Sequence, residues 1–206
     1  MSLLASFFAF DAVLFTEAFV LLFAVMDALG TVPIFIGLTE EFADHRKRIV
    51  KQAVVISTAI LVVFALFGWL IFDAFGITIN DFRIAGGIIL FVVAVDHLQG
   101  GTTRSRGLEP SDIAAFPLAT PLLAGPGAIS TVIIISAQPY SPFLALLVIL
   151  CNSVLAYVIL SGSHWVSRFL GPNGTDALSR ITALLIAALA VSFVVTGISN
   201  IVLSVG

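Results

Sequence analysis

Two short stretches of this chain hold residue types from which a binding site inside a membrane could be built. One runs Asp27-Ala28-Leu29-Gly30-Thr31-Val32-Pro33. The other runs Pro121-Leu122-Leu123-Ala124-Gly125-Pro126-Gly127-Ala128-Ile129-Ser130-Thr131. Proline removes a backbone N–H and clashes with the preceding helical turn, while glycine relaxes the backbone. Gly125-Pro126-Gly127 is therefore predicted to interrupt a helix, and Gly30 with Pro33 at least to kink one. Each interrupted helix begins its second half with free N–H groups and the positive end of a macrodipole, a setting that favours a carboxylate. Asp27 brings the opposite charge. It could bind a substrate ammonium, a sodium ion or a proton, or it could cap the second half-helix by accepting from its first N–H groups. Both readings stand at this level. Thr31, Ser130 and Thr131 offer hydroxyls just after the breaks, for a ligand or for ordinary helix packing. The substrate-binding set is thus Asp27, Gly30, Thr31, Pro33, Gly125, Pro126, Gly127, Ser130 and Thr131.

Other polar residues suggest less. Asp11 and Glu17 are expected near the outer interface, and Asp96 with His97 at a solvated helix end. Asn152, Ser153 and Asn200 suit hydrogen bonds between helices, and Gly86-Gly87 suits close helix packing. His45 and His164 fall at membrane ends, where a lone histidine is seldom a ligand. No Ser-His-Asp set, metal-spaced cluster or phosphate loop is present, so neither catalysis nor a metal site is expected. Cys151 is the only cysteine, which excludes an intrachain disulfide, a zinc cage and a thiol relay.

The elements that must position these residues follow from composition. Of 206 residues, 60% are hydrophobic and 10% charged, against roughly 25% charged in soluble domains. The apolar residues fall in continuous blocks, such as Ala53 to Phe72, about as long as the roughly 20 helical residues that cross a bilayer. Continuous rather than alternating patterning selects helices over a barrel. Six transmembrane helices are predicted near 14–39, 50–74, 82–98, 113–137, 142–168 and 177–203. Residues 1–13 either extend the first helix or lie at the interface, and they lack the basic region of a cleaved signal peptide.

Eight of the nine cations fall on one side: Arg46, Lys47, Arg48, Lys51, Arg104, Arg106, Arg168 and Arg180, against Arg83 alone. That side should be cytoplasmic, with both termini outside. These cations are scattered over separate short loops, which argues against nucleic acid as a partner.

The two halves also look related. Gly30 and Gly127 are 97 positions apart, as are Arg83-Ile84 and Arg180-Ile181. Repeats of three helices each (14–98 and 113–203) must have opposite orientations, the inverted plan of many transporters. The expected fold is all-α, with helices one and four broken at mid-membrane.

The stretch Met26-Asp27-Ala28-Leu29-Gly30-Thr31-Val32-Pro33, the run Phe82-Arg83-Ile84-Ala85-Gly86-Gly87 and the segment Pro117 to Ile129 together resemble the MarC family. The resemblance spans nearly the whole chain. It implies a multi-pass protein of a bacterial or archaeal plasma (inner) membrane, grouped with LysE-type transporters. The SnatA-like members of that family are described as carrying glycine and other neutral amino acids. Where many relatives have Asp-Pro or Asn-Pro, this chain has Asp27-Ala28, so the first break should be gentler than the second, with Gly30 and Pro33 left to produce it. The expected function is secondary transport of a small zwitterionic solute in the lipid bilayer, without a cofactor but with Na+ or H+ as a coupling ion. An exporter of drugs or metabolites and a non-transporting scaffold are the rival readings, and a homo-oligomer is compatible with each.

Overall fold

The computed structural model describes residues 12–40, 42–98, 109–136 and 141–205. Asp11, the start of the chain, the loop bearing Arg104 and Arg106, and Pro139 lie outside the described residues. So do the side chains of Asp96, His97, His164 and Arg168.

Every regular element among the described residues is helical. They are α1 (Ala12–Met26), α2 (Ala28–Leu38), a single 3-10 turn (Ala43–His45), α3 (Arg46–Phe75) and α4 (Ile79–Leu98). Next come the four-residue α5 (Pro110–Ile113), a wide-turned segment (Ala114–Leu123), α6 (Pro126–Ile135), α7 (Pro142–Ser161) and α8 (Ser163–Val205). Among the described residues four spans, Ala12–Leu38, Ala43–Phe75, Pro142–Ser161 and Ala183–Leu203, are long and apolar enough to cross a bilayer. The bent pair Pro110–Leu123 with Pro126–Ile135 counts as a fifth if taken as one span rather than a re-entrant loop, against the six expected. In α4, Asp81, Arg83 and Asp96 all fall within 16 residues, which dilutes its apolar character.

Three of the expected boundaries need correction. Helix five ends at Ser161 rather than 168, and helix six begins at Ser163 rather than 177. The turn is made at Gly162, not at Gly171-Pro172-Asn173-Gly174. Pro172 costs that helix one bond, to the carbonyl of Arg168, and outside hydrocarbon water can take the freed carbonyl. At 43 residues and about 1.5 Å per residue, α8 is far longer than the bilayer core, so its apolar Ala183–Leu203 part is the spanning portion. Helix four, expected as 113–137 with one break, leaves helical geometry earlier. Phe116 (φ −143°, ψ 126°) and Thr120 (φ −133°, ψ 124°) are extended because each precedes a proline, whose ring disfavours the helical region for its neighbour.

The molecule is apolar inside and out. Leu22, Met26, Leu61, Ile129 and Val148 join α1, α3, α6 and α7 in one buried cluster. Phe35, Ile49, Val50, Leu118 and Leu160 form a second, and Ile34 meets Leu90, Ala94, Ile186 and Ala190 of α4 and α8 in a third. Trp69, Leu70, Val154, Leu184 and Val202 are exposed, as helices solvated by lipid should be. Polar bonds tie helices together: Thr58 Oγ1 donates to Ser153 Oγ at 2.7 Å, and Asn152 Nδ2 donates to the Phe19 carbonyl at 3.4 Å. Asn200 Nδ2 donates to Asn80 Oδ1 at 3.3 Å. A Cβ on Gly87 would stand 2.7 Å from the Ala190 carbonyl oxygen, so glycine there lets α4 and α8 touch backbone to backbone.

Candidate functional site

The first interruption is a single residue. Asp27 adopts the left-handed conformation (φ 40°, ψ 52°), which Asp tolerates better than most side chains. Its amide still donates to the Phe23 carbonyl (3.2 Å), and its own carbonyl accepts from Thr31 N–H (3.0 Å). The Gly30 N–H, which a continuous helix would aim at the Met26 carbonyl, donates instead to Asp27 Oδ1 at 3.0 Å. The break therefore sits at Asp27, not at Gly30 or Pro33. Pro33 lies inside α2, and Gly30 is needed for a different reason: any Cβ there would collide with the Asp27 carboxylate. Thr31 is buried, and its hydroxyl donates back to the Asp27 carbonyl at 2.9 Å. Asp27 itself is exposed. Its carboxylate caps the helix through Oδ1.

The second interruption is built from Ala124 (φ −100°, ψ 59°) and Gly125 (φ −78°, ψ 172°), with Pro126 at the first helical position of α6. No side chain caps this helix. The first backbone bond of α6 runs from Ile129 N–H to the Gly125 carbonyl (2.9 Å), and the N–H groups of Gly127 and Ala128 precede it. Those are the orphan donors that every helix start presents. Ser130 Oγ donates to the Pro126 carbonyl at 2.7 Å, and Thr131 is buried. The halves on either side meet at 59°, whereas Ala12–Leu38 passes as one 27-residue span.

The breaks are neighbours. A Cβ on Gly127 would lie 2.6 Å from Val25 Cγ1, and one on Gly86 would lie 3.5 Å from Pro126 Cγ. Thus α1, α4 and the start of α6 converge around Gly127, with Asp27 two residues beyond Val25. The paired caps lie 98 positions apart (125 − 27), within one residue of the sequence offset. Among the described residues no group of three or more His, Cys, Asp or Glu could hold a metal ion.

Sequence reasoning missed one polar clasp, at the opposite end of α2 from Asp27. Arg46 Nε donates to Thr39 Oγ1 at 3.0 Å, and its terminal nitrogen reaches the Ile36 carbonyl at 3.5 Å, so a cation closes the C-terminal end of α2. Arg46 contributed only to orientation in the sequence. A basic residue following a short polar turn after a helix was the signal available.

Residues 12–202 match the family model described as MarC family integral membrane protein. A UPF0056 membrane protein of Archaeoglobus fulgidus is 41% identical over 198 residues, covering 90% of this chain and 92% of that protein. The UPF0056 membrane protein YvbG of Bacillus subtilis is 34% identical, covering 89% and 93%. The UPF0056 membrane protein YhcE of Escherichia coli is 33% identical, covering 93% and 95%. No solved structure matches. The chain belongs to the MarC family of multi-pass integral membrane proteins.

Proposed function

We propose that this MarC-family chain is a secondary transporter that moves small neutral amino acids, such as glycine or alanine, across the plasma (inner) membrane by alternating access. The observation that carries the reading is the uncapped start of α6 beside the carboxylate-bearing break at Asp27. The N–H groups of Gly127 and Ala128 would hold the substrate carboxylate, favoured by the helix dipole. Asp27 would offer its second oxygen to the ammonium or to a coupling Na+ or H+. Irregular backbone at this depth is tolerated where it lines a cavity or is buried in protein.

Helix packing supports the inverted-repeat plan. In that plan α1–α2, α3 and α4 make one unit, and the segment 110–135, α7 and α8 make the other. A two-fold axis pairs each element with its own counterpart, and α3 does pack on α7 and α4 on α8. It also predicts contacts in matched sets. The packing of α1 on α7 is answered by Ala114–Leu123 on α3, and that of α2 on α8 by α6 on α4. That some MarC-family members, the SnatA-like ones, are described as carrying neutral amino acids supports the substrate class, and the absence of a nucleotide motif from the sequence supports drive by gradients.

Two experiments test this. Proteoliposomes should accumulate labelled glycine or alanine when a sodium or proton gradient is imposed, and the transport reading fails if neither enters above empty vesicles. For topology, single cysteines at Ser105 and at Pro139, in a Cys151→Ala background, should label from opposite membrane faces with Ser105 cytoplasmic. Labelling of both from one face would break the six-helix plan.

A further inference from the structure

A cavity of about 530 Å³ opens between the end of α3, the turn at Gly76–Thr78 and the face of α6 that carries Ser130, Ile133 and Ile134. Its walls are mostly apolar and aromatic, with Trp69, Phe72 and Ile133 among them, and it carries one carboxylate, Asp73. Trp69 is 73% exposed, so its indole is open at the protein surface.

Two features give this space a sign. Asp73 sits in the last turn of the 30-residue α3, which carries no basic residue there. The carbonyl end of a helix already bears partial negative charge, so an acid there is unfavourable unless a cation answers it. Among the described residues nothing answers it. The Asp73 carbonyl accepts from Gly76 N–H at 3.1 Å, but its carboxylate has no hydrogen-bond or ionic partner. Polar groups around the turn make bonds of their own. Thr78 Oγ1 donates to Asp81 Oδ2 at 2.7 Å, the Arg83 guanidinium donates to Asn80 Oδ1 at 3.5 Å, and Ser130 is bonded within its own helix. The cavity thus combines an unanswered anion, a helix C-terminus and an accessible indole, with no cation in its lining.

We propose that this crevice binds an organic cation: an ammonium group on an apolar body of several carbons. The charge rests beside Asp73, the indole of Trp69 faces the cation, and the chain lies on Phe72 and Ile133. Of the proposed substrate-binding set only Ser130 lines this space, with its hydroxyl bonded back to the Pro126 carbonyl, and the crevice's ligand does not depend on that set forming a transport site.

Trp69 is the natural reporter, because the only other tryptophan is Trp165. Full-length Trp165→Phe protein in dodecyl maltoside, an uncharged detergent, would be titrated with hexylammonium and with hexanol while Trp69 emission is followed. Hexylammonium should shift the emission saturably and hexanol should not. Asp73→Asn should raise the half-saturating concentration about fivefold, in keeping with an exposed ion pair. Gly127→Leu should leave this titration unchanged even when it stops transport. Equal responses to hexanol and hexylammonium, or an Asp73→Asn curve matching the parent, would overturn the site. A saturable shift with short-chain phosphatidylethanolamine at lower concentration than hexylammonium would make the ammonium a lipid headgroup's and overturn the soluble ligand.

Discussion

The two helix interruptions occupy matched positions yet solve the same backbone problem in opposite ways. At Asp27 the chain makes one left-handed step and answers the orphan Gly30 N–H with its own carboxylate. At Ala124–Gly125 the chain turns by 59° and enters α6 through proline, with no capping side chain. An anion already neutralises the start of α2, so a second anion is disfavoured there. The start of α6 keeps its positive end free. The difference fits the proposed division of labour, in which the second break would receive a carboxylate and the first supplies a fixed negative charge.

The most severe way to break this division is at Gly127. Gly127→Leu adds bulk where even a Cβ would press on Val25 Cγ1, beside the N–H groups that would hold the substrate. Uptake in proteoliposomes should fall by roughly 100-fold or more, as for misplacement at a reacting or binding centre, while size-exclusion behaviour in detergent stays that of the parent. Normal uptake by this variant would remove the site from the second break.

Asp27 gives the next largest effect, on stability. Asp27→Ala loses the cap and places alanine in the left-handed region, which together should cost about 2 kcal/mol in detergent unfolding. Asp27→Asn keeps both the cap and the tolerated conformation, so its melting temperature should match the parent. Its uptake should nevertheless drop several-fold, because only the charge has gone. If Asp27→Asn transports normally, the residue is a cap alone and the ammonium must be held elsewhere.

Much of this contrast was legible in the residues. Gly125-Pro126-Gly127 marks the sharp break because proline at a helix start and glycine before it leave few alternatives. The gentler break was expected only through the family resemblance, in which many relatives have an acid-proline or Asn-Pro pair where this chain has Asp27-Ala28. The position of that first break was not legible: Gly30 and Pro33 are the usual helix breakers, but Pro33 is accommodated inside α2 and Asp27 takes the strained conformation. The extended residues Phe116 and Thr120 could have been read from the prolines that follow them. The crevice at Asp73 could not, because it joins α3 to α6 across 57 positions (130 − 73), and its sign depends on which carboxylate is left without a partner.

The smallest expected effect lies in the frame that holds both breaks. Thr58→Val removes the donor to Ser153 across α3 and α7. It should cost about 0.6 kcal/mol, the usual worth of such a bond in a membrane, and leave uptake unchanged. A large loss of uptake would mean that α3 and α7 contribute more than a frame.

The central claim, that the bare start of α6 receives the substrate's carboxylate, is tested most directly by competition. Labelled alanine entering proteoliposomes of the unaltered protein would be challenged with excess unlabelled alanine or with alaninamide, which keeps the ammonium and side chain but lacks the carboxylate. The account predicts that alanine suppresses uptake and alaninamide leaves it nearly untouched. Equal suppression by alaninamide would contradict it.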